Sequence, residues 1–428
     1  MSSWPKRLMF NIVVLAFLPA FLLAALLPGR RRTLYVWGSA PLLCNRYWCE
    51  AMREAGFDSV TIMSGVYGIN RRDDFDRLFE DFAPNGLPRP VRFAIGSCLA
   101  LIFLLRRARV LHGSFFGFAL GLSAFWRLEG WLLRRAGVRT ILIAYGFDAW
   151  LYSSIIDPSL RHALLSSYPE LARNEPATRA KVDYWNRHAS ILLTGLMIDG
   201  LGRWDVTFNQ LFSIDTRTWS PKADHNRNDG RNGSVKVLHT PNHRGFKGTE
   251  FVVEAVERLR GEGLDVELVL LEGVPNDQVR PIMQGVDILA EQFIATGYAM
   301  SGIEGMASGL PVMANLEHEA YTRVFRRYSF LDECPILSTT PETLADNLRL
   351  LVTNPDLRAE LGRAGRHYVE KYHSYATAQH LFGSIYDKIL EGGDVDLINL
   401  FHPLKSAYVR DLPRVEHPLV ENRLPPSA

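Results

Sequence analysis

The sequence predicts an α/β protein with two domains, each built on a parallel sheet, and an apolar helix in front of them. Three observations predict this fold class. Strand-like and helix-like segments alternate in both halves of the chain, a polar run at 220–233 holds almost nothing that could join a core, and 8–27 is a long apolar segment. Alternation is typical of parallel sheets, because a parallel crossover usually contains a helix. With 428 residues, the chain is long enough for two sizeable cores.

The apolar segment 8–27 has Asn11 as its only strongly polar side chain. As a helix, twenty residues span about 30 Å, the thickness of the hydrocarbon core of a bilayer. A cleaved signal peptide is the alternative, but the first expected strand begins directly after the arginines 30–32, so we expect residues 1–32 to be a retained anchor. Three positive charges after the segment against two before it favour a body in the cytoplasm. Pro19 leaves open a kinked helix that enters only one leaflet.

The first domain is expected to cover residues 33–219. We expect its strands at 33–38, 59–64, 110–112 and 140–144, and its helices at 45–55, 93–105 and 123–135. The apolar helix at 93–105 is too short for a second membrane span. The helix at 123–135 carries two tryptophans and three arginines. It therefore either packs on the sheet as an amphipathic helix or rests on anionic lipid beside the anchor.

The second domain is expected to cover residues 234–390, after a linker at 220–233. We expect its strands at 235–239, 266–271 and 287–290, and its helices at 250–260, 278–284, 341–352, 355–372 and 375–390. Residues 391–428 lack periodicity and contain five prolines, so we expect a loose or surface-hugging tail.

The most informative motif is the loop and short helix at 296–311, Thr-Gly-Tyr-Ala-Met-Ser-Gly-Ile-Glu-Gly-Met-Ala-Ser-Gly-Leu-Pro. A helix start presents unpaired N–H groups and a partial positive charge, which suit a phosphate. Glu304 lies one turn into this helix, where a carboxylate can accept hydrogen bonds from a pair of ligand hydroxyls. A second basic, glycine-containing turn at 239–249 follows another expected strand. The two turns together predict a site for a nucleotide diphosphate.

Other features exclude some classes of function. Lysine and arginine number 48 against 46 aspartates and glutamates, so the net charge of +2 gives no case for a nucleic-acid partner. The four cysteines show no metal-ligand spacing, which favours free thiols in a reducing compartment. Neither a dinucleotide-binding glycine motif nor a P-loop is present. The Asp-Val-Asp at 394–396 lies beyond the last core helix, so we do not expect a required metal or another cofactor.

Several segments resemble the bacterial type of group 1 retaining glycosyltransferases, which have the GT-B fold and use sugar nucleotides. The resemblance covers about residues 33–390 and is strong in the second half and diffuse in the first. It is carried by the segments 239–249, 287–290, 302–312, 341–345, 354–369 and 372–374, with weaker support from 212–216 and 144–148. It implies two Rossmann-like domains with parallel sheets that face one another across a cleft.

The resemblance assigns the donor-binding residues. It places Arg244 and Lys247, in what we expect to be an exposed turn, on the donor diphosphate, where cations stabilise the charge of the leaving group. It places Glu304 on the nucleotide ribose, although Ser301 and Glu304 have the spacing of a helix capping box, which would need no ligand. The remaining expected donor-binding residues follow the same strand: Thr296, Gly297, Tyr298, Ala299 and Ser301.

Two departures from the family pattern stand out. At the position of Thr296 the family usually has a glutamate that touches the transferred sugar, and Glu291 is near but out of register. In the first domain the family often has His-x-His, whereas this chain has His112 followed by Gly and Ser114. His112 is therefore a candidate catalytic residue on the acceptor side, although a lone histidine is more often structural. Gly38 and Asp148, at expected strand ends, are further acceptor-side candidates.

These observations predict a glycosyltransferase that moves a sugar from a nucleotide-sugar donor to a saccharide or lipid-linked acceptor with retention. The anchor places it on the cytoplasmic face of a membrane, where cell-surface polysaccharide or glycolipid synthesis would use it. A non-catalytic GT-B protein that binds a sugar nucleotide or scaffolds a partner at the membrane is the alternative, because of Thr296. A nucleotide-sugar epimerase on the same fold needs no anchor and is less favoured.

Overall fold

Within the residues that the structure describes, six parallel strands form the sheet of the first domain and five form that of the second. The computed structural model describes residues 4–27, 32–68, 70–207 and 212–419. The first sheet has the order β3-β2-β1-β4-β5-β6, and the second has the order β11-β10-β9-β7-β8. The strands are β1 Leu34–Trp37, β2 Ser59–Met63, β3 Arg77–Leu78, β4 Ala108–Gly113, β5 Arg139–Ile143, β6 Ile191–Leu193, β7 Val235–His239, β8 Val266–Leu270, β9 Ile288–Thr296, β10 Val312–Asn315 and β11 Leu337–Ser338.

Helices cover both faces of each sheet, as parallel sheets require. Those of the first half are α1 Trp4–Leu26, α2 Leu43–Glu54, α3 Arg89–Arg107, α4 Trp126–Arg135, α5 Pro158–Ser167, α6 Pro169–Arg173 and α7 Glu175–His188. Those of the second half are α8 Arg244–Lys247, α9 Thr249–Gly261, α10 Asn276–Gln284, α11 Met300–Ala307, α12 Glu319–Tyr328, α13 Leu344–Thr353, α14 Pro355–Tyr372, α15 Tyr375–Tyr386 and α16 Ala407–Asp411. The predicted fold class, two parallel α/β domains with an apolar helix at the N-terminus, is confirmed.

Strand β9 is longer than the strand predicted at 287–290 and runs on to Thr296. The prediction stopped where the polar residues Glu291 and Gln292 begin. Both side chains are nevertheless buried. Each contacts the ammonium group of Lys247, which provides the partner that a buried polar group requires. The strand therefore continues through a pair of polar residues that are satisfied inside the domain.

The apolar helix α1 packs on the first domain and shares its core. Phe10, Val14 and Phe21 are fully buried against the same cluster as residues of α3, and the ring centroids of Phe10 and Phe93 lie 6.2 Å apart. The Asn11 side-chain oxygen accepts a hydrogen bond of 2.9 Å from the Ala124 backbone N–H. Within the described residues, α1 is the one helix long and apolar enough to cross a membrane.

The predicted linker at 220–233 forms no helix or strand, but it is held firmly against the second domain. The buried guanidinium of Arg358 donates to the backbone oxygens of Asn226 and Asn228 at 3.0 and 2.6 Å. The same group donates to the carbonyls that end α13, at Leu351 and Val352. One arginine thus fastens the linker to the end of a helix.

The last long helix, α15, returns to the first domain. Its Tyr375 hydroxyl donates to Glu50 of α2 at 2.7 Å, and its Gln379 amide donates to the Ala51 carbonyl at 2.9 Å. Part of the predicted tail also packs on the protein, since the Val415 N–H donates to the buried carboxylate of Glu333 at 2.8 Å. Residues 420–428 lie outside the described residues.

The loop between β4 and α4 is organised by one buried carboxylate. Glu129 accepts hydrogen bonds from the backbone N–H groups of Phe118, Ala119 and Leu120. Burial raises the pKa of Glu129, although the three N–H groups act in the opposite direction. The carboxylate thus satisfies three donors in a loop that reaches helix α1 through Ala124.

We expect Glu129→Ala to lower the free energy of unfolding by on the order of 3 kcal/mol, because it leaves buried N–H groups without an acceptor. Glu129→Gln keeps one acceptor oxygen and should lie between the wild type and the alanine variant. Chemical unfolding of the three proteins measures the difference. Equal stability of all three would contradict the role assigned to this side chain.

Candidate active site

The carboxyl ends of the two sheets meet in the region where the sequence predicts the donor site. Leu196, just beyond β6, lies so close to Gly297 that a Cβ on the glycine would approach the leucine side chain to 2.7 Å. The Tyr321 hydroxyl of α12 donates to the Asp199 carboxylate of the first domain at 2.5 Å. Arg71 and Asp277 form an ion pair between the two domains. The expected donor-binding residues lie on the second-domain side of this contact, and the acceptor-side candidates lie on the first-domain side.

The basic turn after β7 is built on a buried histidine. His239 ends the strand, and its two ring nitrogens lie 2.7 Å from the Ala290 carbonyl oxygen and 2.9 Å from the Thr249 hydroxyl. Burial lowers the pKa of His239 to about 4, so the ring is neutral at physiological pH. Gly248 closes α8 with a φ of 76°, a conformation that favours glycine. The turn is therefore fixed at both ends.

Arg244 lies in this turn with 41% of its side chain exposed, as the sequence predicts. Its guanidinium forms ion pairs with Glu250 at 2.8 Å and with Glu272 at 3.1 Å. These two hydrogen-bonded carboxylates raise its pKa further above an already high value. Exposed ion pairs of this kind are weak, so an incoming anion can replace them.

The expectation that Lys247 is exposed is wrong. Its side chain is only 5% exposed, and its ammonium group forms an ion pair with the fully buried carboxylate of Glu291. The Gln292 side-chain oxygen accepts a second hydrogen bond from the same ammonium at 2.9 Å. Position in a turn did not predict exposure, because α8 is a single turn that lies directly on β9.

Glu291, near the family's acidic position in sequence but out of register with it, is the buried partner of Lys247. Its carboxylate contacts Lys247 and accepts a hydrogen bond of 2.8 Å from the Ser301 hydroxyl of α11. Its second oxygen, Oε2, is buried and has no hydrogen-bond partner in the structure. The available signal was a Glu-Gln pair directly after an apolar strand. Such a pair, once shown to be buried, requires a cationic or polar partner.

Glu304 is buried and does not cap its helix. The N-cap of α11 is Ala299, whose side chain makes no capping bond, and the Ser301 hydroxyl donates to Glu291. The capping-box alternative is therefore wrong. The Glu304 carboxyl accepts a 2.8 Å hydrogen bond from Asn276, and burial raises its pKa to about 8. The pKa of Tyr47 in α2 is raised to about 12, chiefly by burial and also by the charge of Glu304.

The other expected donor-binding positions lie between β9 and α11. The Thr296 hydroxyl is buried and has no hydrogen-bond partner in the structure. Gly297 has a φ of 104° and donates its N–H to the Asn315 carbonyl at 2.7 Å. The Tyr298 hydroxyl lies inside the domain, 2.8 Å from the Tyr368 hydroxyl and 2.9 Å from His373 Nε2. A donor would therefore meet Tyr298 only through its backbone.

The acceptor-side candidates all lie at the carboxyl edge of the first sheet. His112 is fully buried and stacks on Trp37 with ring centroids 3.6 Å apart. Its nitrogens contact the Val36 carbonyl oxygen at 3.2 Å and the Tyr386 hydroxyl at 2.8 Å, and burial lowers its pKa to about 3. This environment suits a neutral structural histidine. The catalytic role of His112 stays a prediction from the resemblance alone.

Gly38 and Asp148 occupy tightly packed turns. A Cβ on Gly38 would lie 2.1 Å from the Ile62 carbonyl oxygen, so only glycine fits there. The Asp148 carboxylate accepts hydrogen bonds of 2.9 Å from the N–H groups of Phe115 and Tyr145. Burial raises the pKa of Asp148 to about 6. Both residues shape the strand ends, and their contact with an acceptor stays a prediction.

Comparison with solved structures identifies the fold. Sucrose-phosphate synthase from Thermosynechococcus elongatus superposes on 85% of this chain and 100% of its own, with a TM-score of 0.51 and 14% sequence identity. WaaG, a glycosyltransferase involved in lipopolysaccharide biosynthesis, covers 84% of this chain and 100% of its own, with a TM-score of 0.41 and 13% identity. No protein-family description and no curated protein matches the chain. The chain has the GT-B fold of glycosyltransferases.

We expect Lys247→Ala to lower the free energy of unfolding by about 3–5 kcal/mol, because it leaves the buried Glu291 carboxylate without its partner. The double variant Lys247→Met and Glu291→Met removes both charges and should recover much of that loss. Urea unfolding of the two variants checks the expectation. A single variant as stable as the wild type would show that the ion pair is not buried in solution.

We expect the stability of the protein to fall between about pH 4.5 and pH 8 because of Glu304. The folded state holds the proton up to a pKa of about 8, whereas the unfolded chain releases it near the ordinary value of 4.5. The unfolded state therefore binds fewer protons in this range, and stability falls as the pH rises. Glu304→Gln should flatten this part of the profile, as measured by unfolding at a series of pH values. An unchanged slope would contradict the shifted pKa.

Proposed function

We propose that this protein is a glycosyltransferase that moves a sugar from a nucleotide-sugar donor to a saccharide or lipid-linked acceptor with retention of configuration. The observation that supports this most is the convergence of a cationic turn, a buried ion pair and a buried glutamate at one strand end of a GT-B fold. Retention rests on the sequence resemblance in the second half of the chain. The reaction as proposed requires no metal.

The donor diphosphate would lie between the turn after β7 and the start of α11. In the reaction the bond between the sugar carbon and the phosphate oxygen breaks, and the diphosphate leaves with the electron pair. Arg244, free to exchange its exposed carboxylate partners, would meet the growing negative charge. Lys247 would act from beneath, together with the N–H groups of Ala299 and its neighbours at the start of α11.

The balance of charge around the turn after β7 also has to suit the anionic diphosphate. Three carboxylates, at Glu250, Glu272 and Glu291, form ion pairs with the two cations, and a fourth, Glu304, lies on α11. A pKa of about 8 keeps Glu304 mostly protonated at neutral pH, which removes one of these negative charges. A protonated carboxyl can still accept a hydrogen bond from a ribose hydroxyl and can donate one to it.

The transferred sugar would be held by groups other than the missing acidic residue at 296. Thr296 Oγ1 and Glu291 Oε2 are both buried without a hydrogen-bond partner, on the strand that leads into the donor loop. Buried polar atoms without partners are rare, and a ligand hydroxyl would satisfy them. The acceptor would enter from the first domain. Attachment to the cytoplasmic face of a membrane through α1 would bring the enzyme close to a lipid-linked acceptor. Such acceptors would serve the synthesis of cell-surface polysaccharide or glycolipid.

A non-catalytic GT-B protein that binds a sugar nucleotide or scaffolds a partner is the second candidate. It is favoured by Thr296 in place of an acidic residue, and by the neutralisation of Lys247 through Glu291. The two candidates differ in turnover. A panel of sugar nucleotides, tested by thermal shift and then by donor hydrolysis, distinguishes them. Stabilisation with hydrolysis supports the transferase, and stabilisation without hydrolysis or transfer supports the second candidate.

We expect Arg244→Ala to lower turnover by on the order of 10²-fold with little loss of stability, because the exposed guanidinium would stabilise the leaving diphosphate. Arg349 on α13 is a matched control. It is also partly exposed, and it forms ion pairs with two carboxylates, Glu262 and Asp346. Arg349→Ala should leave turnover unchanged. Equal turnover of both variants would reject the phosphate-binding role of the turn.

We expect Glu304→Gln to weaken binding of the nucleotide sugar. The amide keeps the shape of the side chain and can still bond to Asn276, but it lacks the second oxygen with which the carboxyl group can bond to the other hydroxyl of the diol. Isothermal titration with the sugar nucleotide found in the panel measures the change in Kd. The matching test ligand is the free sugar phosphate, which lacks the ribose and should bind equally to both proteins. An unchanged Kd for the nucleotide sugar would remove Glu304 from the ribose site.

A further inference from the structure

Helix α1 has two apolar faces, and only one of them is covered. The covered face carries Phe10, Val14, Phe21 and the alanines at 24–25, all buried. These residues recur every three to four positions and pack with residues of α3 in one cluster. The Asn11 side chain fixes the helix further by its hydrogen bond to Ala124. In this arrangement α1 lies flat on the first domain and contacts it from Phe10 to Ala25.

The opposite face of α1 is exposed and entirely apolar. Its exposed large side chains include Ile12 at 59%. The full set on α1 is Trp4, Leu8, Ile12, Leu15, Leu22, Leu23 and Leu26, and the exposed Leu27 follows the end of the helix. The helix of a soluble domain normally presents polar residues to water on this side. A contiguous apolar stripe of this length indicates a surface that is covered in the cell.

The exposed apolar surface continues onto the loop and helix beside α1. Leu122 is 54% exposed and lies two residues from Ala124, which bonds to Asn11. Leu128 and Trp131, one turn apart on α4, are exposed as well. The exposed apolar surface therefore continues from the contact between Asn11 and Ala124 to Trp131 on α4.

Basic residues accompany this surface. On α4 the exposed side chains include Arg127 and Arg135 as well as Leu128 and Trp131. The Arg127 guanidinium lies 4.3 Å from the ring centroid of Trp126. An apolar face with tryptophan and arginine beside it is the pattern of a helix at the boundary between headgroups and acyl chains of an anionic membrane.

We propose that α1 lies in the plane of one leaflet, with its uncovered face in the acyl region, and that α4 contacts anionic headgroups beside it. This rests on the membrane attachment in the proposed function and specifies its geometry. If α1 spanned the membrane, its five buried side chains would have to leave α3. The apolar side chains of α3 that now pack against α1 would then be exposed to water. An in-plane helix keeps these contacts and also covers the exposed stripe.

The position of the N-terminus tests the geometry. In sealed membrane vesicles, Asp356→Cys, at an exposed position on α14 of the second domain, reports the side on which the body lies. The four native cysteines are buried and should react little with a membrane-impermeant maleimide. We expect Ser3→Cys to be labelled from the same side as Asp356→Cys without detergent. Labelling of Ser3→Cys only after detergent would overturn the in-plane arrangement and leave membrane attachment intact. A protein absent from the membrane fraction would overturn attachment itself, and the donor assays would be unaffected.

The contribution of α4 is tested by flotation of the full chain with vesicles of neutral lipid or of neutral lipid with anionic lipid. We expect the double variant Arg127→Ala and Arg135→Ala to bind anionic vesicles more weakly by on the order of tenfold, and neutral vesicles unchanged. The matched control is Arg323→Ala with Arg327→Ala on α12, which is an exposed pair in the second domain. Equal loss in both double variants, or equal wild-type binding to the two kinds of vesicle, would overturn the role of α4.

Discussion

The buried ion pair between Lys247 and Glu291 is the interaction on which the candidate site depends. It joins the turn after β7 to strand β9, and the hydrogen bond from Ser301 to the same carboxylate adds the start of α11. Three segments that are distant in the chain are thus held at one charged centre. Burial makes the arrangement sensitive, because removing either charge leaves the other without compensation in a medium of low dielectric. The geometry of the proposed diphosphate site therefore depends on this buried contact.

Much of this fold could be predicted from the sequence, because its signals are local. The alternation of elements, seven of the eleven strands described and the loop before α11 follow from apolar periodicity, glycines and prolines within a few residues of each element. Strands β3, β6, β10 and β11 were not predicted. The resemblance in the second half then named Arg244 and Glu304 as expected donor-binding residues, which stays a prediction. What it could not supply is burial. Lys247 lies three residues after Arg244 in the same short helix, yet one is exposed and the other is enclosed by β9.

Long-range contacts explain the remaining differences. Glu291 was out of register with a family motif, and only the fold shows that its partner is 44 residues earlier in the chain. The Ser301 and Glu304 spacing fits a capping box, but the helix begins one residue before Ser301 and the hydroxyl turns to Glu291. His112 looked available at a strand end, and the return of α15 places Tyr386 over it. In each case a segment far away in sequence decides the environment.

The return of α15 has a consequence for how the two halves of the molecule can move. The chain passes between the domains twice, and the two passages bond to each other: the Ile214 N–H donates to the His373 carbonyl at 2.8 Å, and the His373 ring lies 2.8 Å from the Phe212 carbonyl oxygen. Two connecting segments that bond to each other restrict twisting and sliding of one domain against the other more than a single segment would. Because α15 packs on α2, the first domain is not a continuous piece of the polypeptide, and it is complete only after the ribosome has made the second domain.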